Sequence, residues 1–209
     1  GYRSTQFYSA TKVKGKNQYL GGTQDNGSYL TGDPNSLGLQ FARRVNSGDG
    51  FEVITHWDNP NQMMVVCQYN GCARISYDGG INGPSSFQGT DGFYQDDRDP
   101  FYSKLATSKQ DPDMIYGITK NGVIRSENFG DDWEYIVIED NDRLSTKFRG
   151  NDVEVSQANP RFVWAGGQVS EDNGYNLYLS KDWGKTYSPV PRPEGKHHAW
   201  TSGIYSHPN

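Results

Sequence analysis

Short segments in which apolar and polar residues alternate recur along the chain, and most are followed by a turn and then an unbroken apolar run. The alternating segments are residues 51–55, 105–108, 153–156 and 203–206. Apolar runs follow the first three at residues 63–67, 114–118 and 162–165. A proline lies between the two halves each time, and this pattern predicts two strands joined by a proline-marked turn.

The same unit is repeated along the chain. Its X-Pro pairs lie roughly 50 residues apart, a spacing typical of propeller repeats, and they are Asn59-Pro60, Asp111-Pro112, Asn159-Pro160 and His207-Pro208. Each unit predicts one four-stranded antiparallel blade. We therefore predict an all-β fold, a β-propeller segment of about four blades that is part of a larger propeller. The predicted blades are residues 6–50, 51–104, 105–151 and 152–201, and residues 202–209 begin a further blade.

A second motif recurs in the same phase of the repeat. Asn-Gly pairs follow the apolar runs, and they are Asn26-Gly27, Asn70-Gly71, Asn121-Gly122 and Asn173-Gly174. Because both central residues of a type I′ turn need positive φ, Asn-Gly is a strong hairpin signal. We predict that these pairs join the second and third strands of each blade.

A third motif, Ser-x-Asp/Asn-x-Gly, closes the unit. It occurs at Ser76-x-Asp78-x-Gly80, Ser126-x-Asn128-x-Gly130 and Ser180-x-Asp182-x-Gly184, and the last two continue to the aromatic residues Trp133 and Tyr187. The pattern predicts a hairpin corner in which Asp or Asn bonds its own backbone and Gly takes positive φ. A corner that recurs in three of the four units is expected to be structural and not reactive.

These residues resemble the Asp-box, Ser-x-Asp-x-Gly-x-Thr-Trp, of BNR-type propellers such as sialidases, xyloglucanases and sortilins. Residues 21–27 and 89–93 are more similar to secreted, sortilin-like propellers of Bacteroidetes-type bacteria, many of which end in a type IX secretion sorting domain. The resemblance spans nearly the whole chain. It implies an extracellular or cell-surface location.

Composition narrows the function classes. The chain has 25 Gly, 14 Tyr, 9 Phe and 5 Trp among 209 residues, with 33% hydrophobic residues, which disfavours a helical bundle and disfavours disorder. The net charge of −5 argues against nucleic-acid binding. No stretch approaches the roughly 20 apolar residues of a membrane span, so no direct membrane insertion is expected.

The ends of the chain carry a further expectation. It begins at Gly1 without an initiator Met and stops as a further unit opens. An unclosed arc of blades would leave sheet faces exposed. We therefore expect a segment of a longer polypeptide, and a native-source mass equal to that of this chain alone would contradict the expectation.

Loops at one end of a rigid propeller generally carry its binding residues. On the usual strand order, the Asn-Gly turns and the long connections between blades meet at one end, called the top face. The candidate ligand-binding residues there are Gln24, Asp25, Phe93, Tyr94, Asp96, Asp97, Arg98, His197, His198 and Trp200.

Catalytic and metal chemistry find less support. A glycoside hydrolase needs two suitably spaced carboxyl groups, and the abundant acidic residues form no assignable pair. No Gly-x-Ser-x-Gly motif supports a serine nucleophile. Acidic loops such as 96–99 and 139–142 could bind calcium but lack EF-hand spacing. The adjacent His197 and His198 are poorly arranged for zinc, and His56 is expected to be structural. No cofactor and no catalytic residue are assigned.

The two cysteines, Cys67 and Cys72, flank a predicted hairpin turn. A two-residue Asn-Gly turn would pair Cys67 with Arg74 and place the cysteines diagonally on one face. A disulfide then requires the hairpin to adjust, so a disulfide and two free thiols are both left open.

The sequence thus favours a non-catalytic binding or scaffolding module that recognises a protein, peptide or glycan through top-face loops. The alternatives are a glycoside hydrolase of sialidase or xyloglucanase type and a structural component of a surface assembly or filament. A panel of glycans and fluorogenic substrates distinguishes the binding module from the hydrolase. The structural role predicts no soluble ligand.

Overall fold

A computed structural model describes residues 5–32, 42–90, 92–93, 100–138, 152–166, 168–169, 177–191, 199–200 and 203–207. These residues form strands and turns, with 3-10 turns at Gln68–Asn70 and Gly83–Ser86. The part of the chain that is described contains no helix long and apolar enough to cross a membrane.

The strands form four antiparallel sheets of four strands each. The first contains β1 (Phe7–Lys12), β2 (Tyr19–Thr23), β3 (Gly27–Thr31) and β4 (Ala42–Asn46), and the second contains β5 (Gly50–Thr55), β6 (Met63–Cys67), β7 (Arg74–Ser76) and β8 (Gln88–Gly89). The third contains β9 (Leu105–Thr107), β10 (Ile115–Ile118), β11 (Gly122–Ser126) and β12 (Glu134–Val137). In the fourth, β13 (Asp152–Val155) and β14 (Val163–Gly166) are followed by β16 (Leu177–Ser180) and β17 (Ser188–Pro189).

Within each sheet the strands lie side by side in chain order, as in a propeller blade. The predicted all-β fold class with four-stranded antiparallel blades is therefore confirmed. One further pair, β15 (Gln168–Val169) with β18 (Ala199–Trp200), forms a separate two-stranded ladder that the repeat did not predict.

Successive sheets pack face to face through three apolar clusters. Leu20, Leu30 and Met63 belong to the cluster between the first two sheets, and Met64 and Ile115 belong to the next. A third cluster, which includes Tyr116, Val153 and Ala165, joins the third and fourth sheets. The continuous apolar run in β6 follows from this stacking, because alternate side chains face the sheets on either side.

The first strands β1, β5, β9 and β13 contact one another across the sheets and so lie innermost, along the propeller axis. Their amino-terminal ends lie at the same end of the molecule as the turns at 24–26, 68–73 and 119–121. We call this the upper end, which corresponds to the predicted top face. The proline-marked turns and the Ser-x-Asp/Asn-x-Gly corners lie at the opposite, lower end.

The Asn-Gly turns differ in geometry from the prediction. In the turn after β2, positive φ falls on Asp25 and Gly27, and neither Asn121 nor Gly122 has positive φ. After β6 it falls on Tyr69 and Asn70, one residue before the predicted pair, and again on Cys72. Three-residue and longer connections allow these shifts, which a dipeptide signal does not specify. Asn173 and Gly174 lie outside the described residues.

The turn after β6 also corrects the predicted register. Gly71 N–H donates to the Gln68 carbonyl, and Val65, not Cys67, pairs with Arg74. Cys67 and Cys72 are joined by a disulfide with 5.6 Å between their Cα atoms. The longer connection is the adjustment that lets the disulfide form.

Candidate functional site

Aromatic rings gather at the upper end of the inner strands. We call this group, Tyr8, Phe51, Tyr69, Phe101 and Tyr102, the axial aromatic cluster. Ring centroids of Tyr8 and Phe51 lie 4.4 Å apart, and those of Phe51 and Tyr102 lie 4.7 Å apart. Phe51 is buried, whereas the other four rings are half-buried. The cluster therefore presents ring surface to solvent around a fixed centre.

The turn that carries Tyr69 is anchored on both sides. Asn70 N–H donates to Ser103 Oγ over 2.7 Å, and the Asn70 amide donates to the Ile118 carbonyl over 2.9 Å. Ser103 Oγ in turn donates to the Cys67 carbonyl. Because these groups are buried, the hydrogen bonds hold the Tyr69 and Phe101 rings in place, 5.3 Å apart.

Charged groups lie beside the rings. Glu52 accepts a hydrogen bond from Ser9 and lies 3.7 Å from Lys104 Nζ, and Lys104 also lies 5.1 Å from the centre of the Tyr102 ring. Asp152, at the start of β13, accepts a hydrogen bond from Ile204 N–H. Lys104 thus stands between carboxylates of two inner strands.

Burial sets the proton affinity of these groups. It raises the pKa of the Glu52 carboxyl, although Lys104 and Ser9 oppose the shift. It also raises the pKa of the Asp152 carboxyl, against the hydrogen bond from Ile204. The Tyr102 phenol has a raised pKa through burial and the nearby Glu52. Each shift follows from the cost of a charge in a poorly hydrated site.

Two of the predicted candidates lie at this end. Gln24 and Asp25 form the turn after β2, and Asp25 N–H donates to the Asp49 carboxylate over 2.6 Å. Burial is the largest cause of the raised pKa of the Tyr8 phenol, and the charges of Asp49 and Asp25 raise this pKa further. These carboxylates border the axial aromatic cluster.

Phe93 lies elsewhere. Its ring packs edge-on against the Trp133 indole, 4.7 Å between centroids, beside the apolar cluster of the second and third sheets. It is an inter-blade packing residue rather than a top-face residue. Tyr94, Asp96, Asp97, Arg98, His197 and His198 lie outside the described residues, and Trp200 is described only as part of β18.

The sequence predicted none of the axial aromatic cluster. A signal was present, because Tyr8, Phe51 and the Phe101-Tyr102 pair each lie at or before the start of an inner strand. That phase of the repeat becomes informative only when the first strand is known to be innermost.

The three Ser-x-Asp/Asn-x-Gly corners share one hydrogen-bonding pattern. The buried hydroxyls of Ser76, Ser126 and Ser180 each accept from a glycine N–H over 2.7–2.9 Å, the donors being Gly80, Gly130 and Gly184. Each hydroxyl also donates to the acidic or amide side chain two residues later, Asp78, Asn128 or Asp182.

The residue before each corner glycine completes the pattern. Gly79, Phe129 and Trp183 have positive φ. The N–H of each donates to the carbonyl of the residue that follows the proline of the proline-marked turn, which is Asn61, Asp113 or Arg161. The side chains of Trp133 and Tyr187 pack against the neighbouring apolar clusters. The serine hydroxyl, the acidic or amide side chain and the positive-φ N–H of each corner are thus engaged within the scaffold.

His56 has a similar structural role. Its Nδ1 accepts from the N–H groups of Asp58 and Asn59 at 3.0 and 2.9 Å, where the corresponding turns use Ser108 and Ser156 hydroxyls. No group of His, Cys, Asp and Glu suited to a metal ion occurs among the described residues.

Solved structures with a similar fold include enzymes of family GH74. An ancestral GH74 enzyme matches with a TM-score of 0.65 and 17% identity over 90% of this chain and 24% of its own. A GH74 enzyme of Niastella koreensis gives 0.58 and 16% over 88% and 29%, and the GH74 xyloglucanase of Xanthomonas campestris gives 0.50 and 14% over 91% and 26%.

At these identities the likeness establishes the β-propeller fold alone. The chain spans 24–29% of the length of these enzymes. No family model and no curated protein matches the chain.

Proposed function

We propose that this propeller is a non-catalytic binding module whose upper end recognises a neutral glycan. The observation that supports it is the axial aromatic cluster, which offers half-buried rings on an anchored framework. Aromatic faces pack against the C–H faces of sugar rings, and the carboxylates of Asp25 and Asp49 can accept hydrogen bonds from sugar hydroxyls.

Fixed rings favour binding because little side-chain freedom remains to be lost. The rings of Tyr69 and Phe101 are held by the hydrogen bonds of Asn70 and Ser103 before any ligand arrives. A ligand that stacks on them therefore avoids part of the ordering cost that flexible loops would incur.

The test is calorimetric titration with a xyloglucan oligosaccharide, chosen because one of the similar structures is a xyloglucanase. Tyr69→Ala and Phe101→Leu should each weaken binding about ten-fold, since an aromatic anchor in a binding site commonly contributes more than about 1 kcal/mol. Phe101→Leu keeps apolar volume, so it tests the ring without opening the fold.

Tyr19→Ala is the matched control, because Tyr19 is an exposed tyrosine on β2 away from the cluster. It should leave the affinity unchanged, and urea unfolding should show that all variants are folded. Absence of binding across a panel of neutral oligosaccharides would contradict the proposal. Binding of an unrelated peptide at the same rings would replace the glycan by a peptide ligand.

A glycoside hydrolase is the second candidate, favoured by Glu52 and Asp152, two buried carboxyls with raised pKa values on separate inner strands. Release of reducing ends from the same oligosaccharide, lost in both Glu52→Gln and Asp152→Asn, would establish it. Binding without turnover supports the binding module.

We also propose an extracellular or cell-surface location. The Cys67–Cys72 disulfide supports it, because such bonds persist in oxidising compartments.

A further inference from the structure

The lower end of the axis carries a cavity, remote from the axial aromatic cluster. It has a volume of about 320 Å³ and lies where β1 and β5 end; its lining residues are Thr11, Lys12, Lys14, Thr55, His56, Trp57 and Lys109. We call this the lower basic pocket. Three lysines line it in a chain whose net charge is −5, so the local charge is opposite to that of the molecule.

The lysines of the lining are only partly compensated by acidic groups. Lys14 Nζ pairs with Asp58 over 2.5 Å, and the charge of Lys109 also acts on Asp58. Within the part of the chain that is described, the ammonium groups of Lys12 and Lys109 form no salt bridge, and both residues are exposed. A cavity lined by three lysines and no acidic residue attracts an anionic group.

The turn that carries the aromatic wall of the pocket is anchored by His56. Trp57 is 41% exposed although it directly follows the buried His56. The His56 ring is fixed by Asp58 and Asn59 and contacts Asp113 through Nε2 over 3.1 Å. An exposed indole on a fixed turn is a stacking surface rather than a core residue.

We propose that the lower basic pocket binds an acidic saccharide. A carboxylate or sulfate group pairs with Lys12 and Lys109 while the sugar ring stacks on the Trp57 indole. The cavity volume suits one or two sugar rings, within the usual range of small-ligand sites. The inference is independent of the glycan proposed for the upper end.

The test titrates the whole chain with an oligogalacturonate and with a sulfated oligosaccharide, which distinguishes the carboxylate and sulfate sources. Lys12→Gln/Lys109→Gln and Trp57→Ala should each weaken binding at least about ten-fold. Affinity for both acidic probes should fall as salt is raised, because the lysines are exposed to screening. Tyr69→Ala should leave binding unchanged.

Matched controls are an exposed lysine and an exposed tryptophan elsewhere at the lower end. Lys185→Gln removes an exposed lysine, and Trp183→Ala removes another exposed indole that stacks with Arg161; both should bind as the parent chain does. A neutral oligosaccharide of equal length binding as tightly would overturn the proposal. So would inorganic sulfate alone, or an oligoglutamate, binding as tightly as the acidic saccharides, and so would unchanged affinity in the lysine and tryptophan variants.

Discussion

At the scale of single residues, the corner glycines have a positive φ and no space for a Cβ atom. Only glycine satisfies both conditions. Gly130 has a φ of +93°, and a Cβ added there would lie 2.7 Å from Ile75 Cδ1 of the preceding sheet. Gly184 stands in the same relation to the Tyr116 ring of the third sheet. The glycine thus permits both the turn and the close approach of successive blades.

Gly130→Ala should therefore lower the free energy of unfolding by about 2–5 kcal/mol, combining the left-handed backbone cost with overpacking. Urea unfolding followed by fluorescence measures it. Gly89→Ala is the matched control, because Gly89 has no atom within 4 Å of the added Cβ, and it should change stability by less than about 0.5 kcal/mol. Equal effects at the two positions would contradict the role assigned to the corner.

The carboxyl of Asp182 makes the corner of the fourth sheet sensitive to acid. Partial burial alone would raise its pKa, but hydrogen bonds from Thr186 and Ser180 outweigh burial and lower the pKa to about 2. Since the native pKa lies below the unfolded value of 3.8, the native state binds fewer protons over this range. Its stabilising contribution is complete above the unfolded pKa and is lost as the pH falls towards 2.

Asp182→Asn should keep the fold and remove this acid-dependent loss. The chain supplies the precedent, since Asn128 occupies the equivalent position and its Oδ1 accepts from Asp132 N–H over 2.9 Å. Urea midpoints at pH 5 and pH 2.5 should differ less for Asp182→Asn than for the parent chain. Parallel losses in both proteins would show that Asp182 is not the titrating group.

At the scale of elements, β6 joins two interfaces. Met63 packs towards the first sheet and Met64 towards the third, and both are fully buried. Removing either side chain leaves a cavity between stacked sheets, where neither backbone can move without disturbing the other.

Met64→Ala should lower the free energy of unfolding by about 2–5 kcal/mol, the usual range for a large-to-small core substitution. Val137→Ala is the control, since Val137 in β12 is 50% exposed, and it should stay within about 0.5 kcal/mol. Chemical denaturation with urea reports both. A small effect of Met64→Ala would mean that the second and third sheets do not stack as described.

The elements also show what the sequence could and could not predict. The repeat of alternating strands, prolines and Asn-Gly pairs predicted the four-stranded sheets, because each signal is local. It could not predict that positive φ after β6 falls on Tyr69 and Asn70, since that depends on the anchoring of Asn70 to Ser103. Likewise the sequence predicts Phe93 in a surface loop. Its contact with Trp133 joins two blades, and such a contact leaves no local signal in the sequence.

At the scale of the whole molecule, the axis separates two chemistries. The upper end gathers half-buried rings with the carboxylates of Asp25, Asp49 and Glu52, whereas the lower end gathers Lys12 and Lys109 around Trp57. Residues on the inner strands define both ends. The stacked scaffold thus separates an end rich in rings and carboxylates from an end rich in lysines.

The outer face of the fourth sheet is also distinctive. Trp164 and Leu179 are only half-buried, and with residues 188–191 they line a cavity of about 350 Å³. Residues 203–207 run beside β13, with Ile204 N–H bonded to Asp152 over 2.6 Å. Residues 203–207 thus lie along the inner strand of the fourth sheet.

Hydrogen–deuterium exchange with and without a xyloglucan oligosaccharide tests the central claim most directly, because it locates the ligand as well as detecting it. If the upper end binds the oligosaccharide, exchange should slow at residues 66–72 and 100–104, around Tyr69 and Phe101, while residues 181–190 at the lower end stay unchanged. Protection confined to residues 181–190, or to the turn at 56–62, would contradict it.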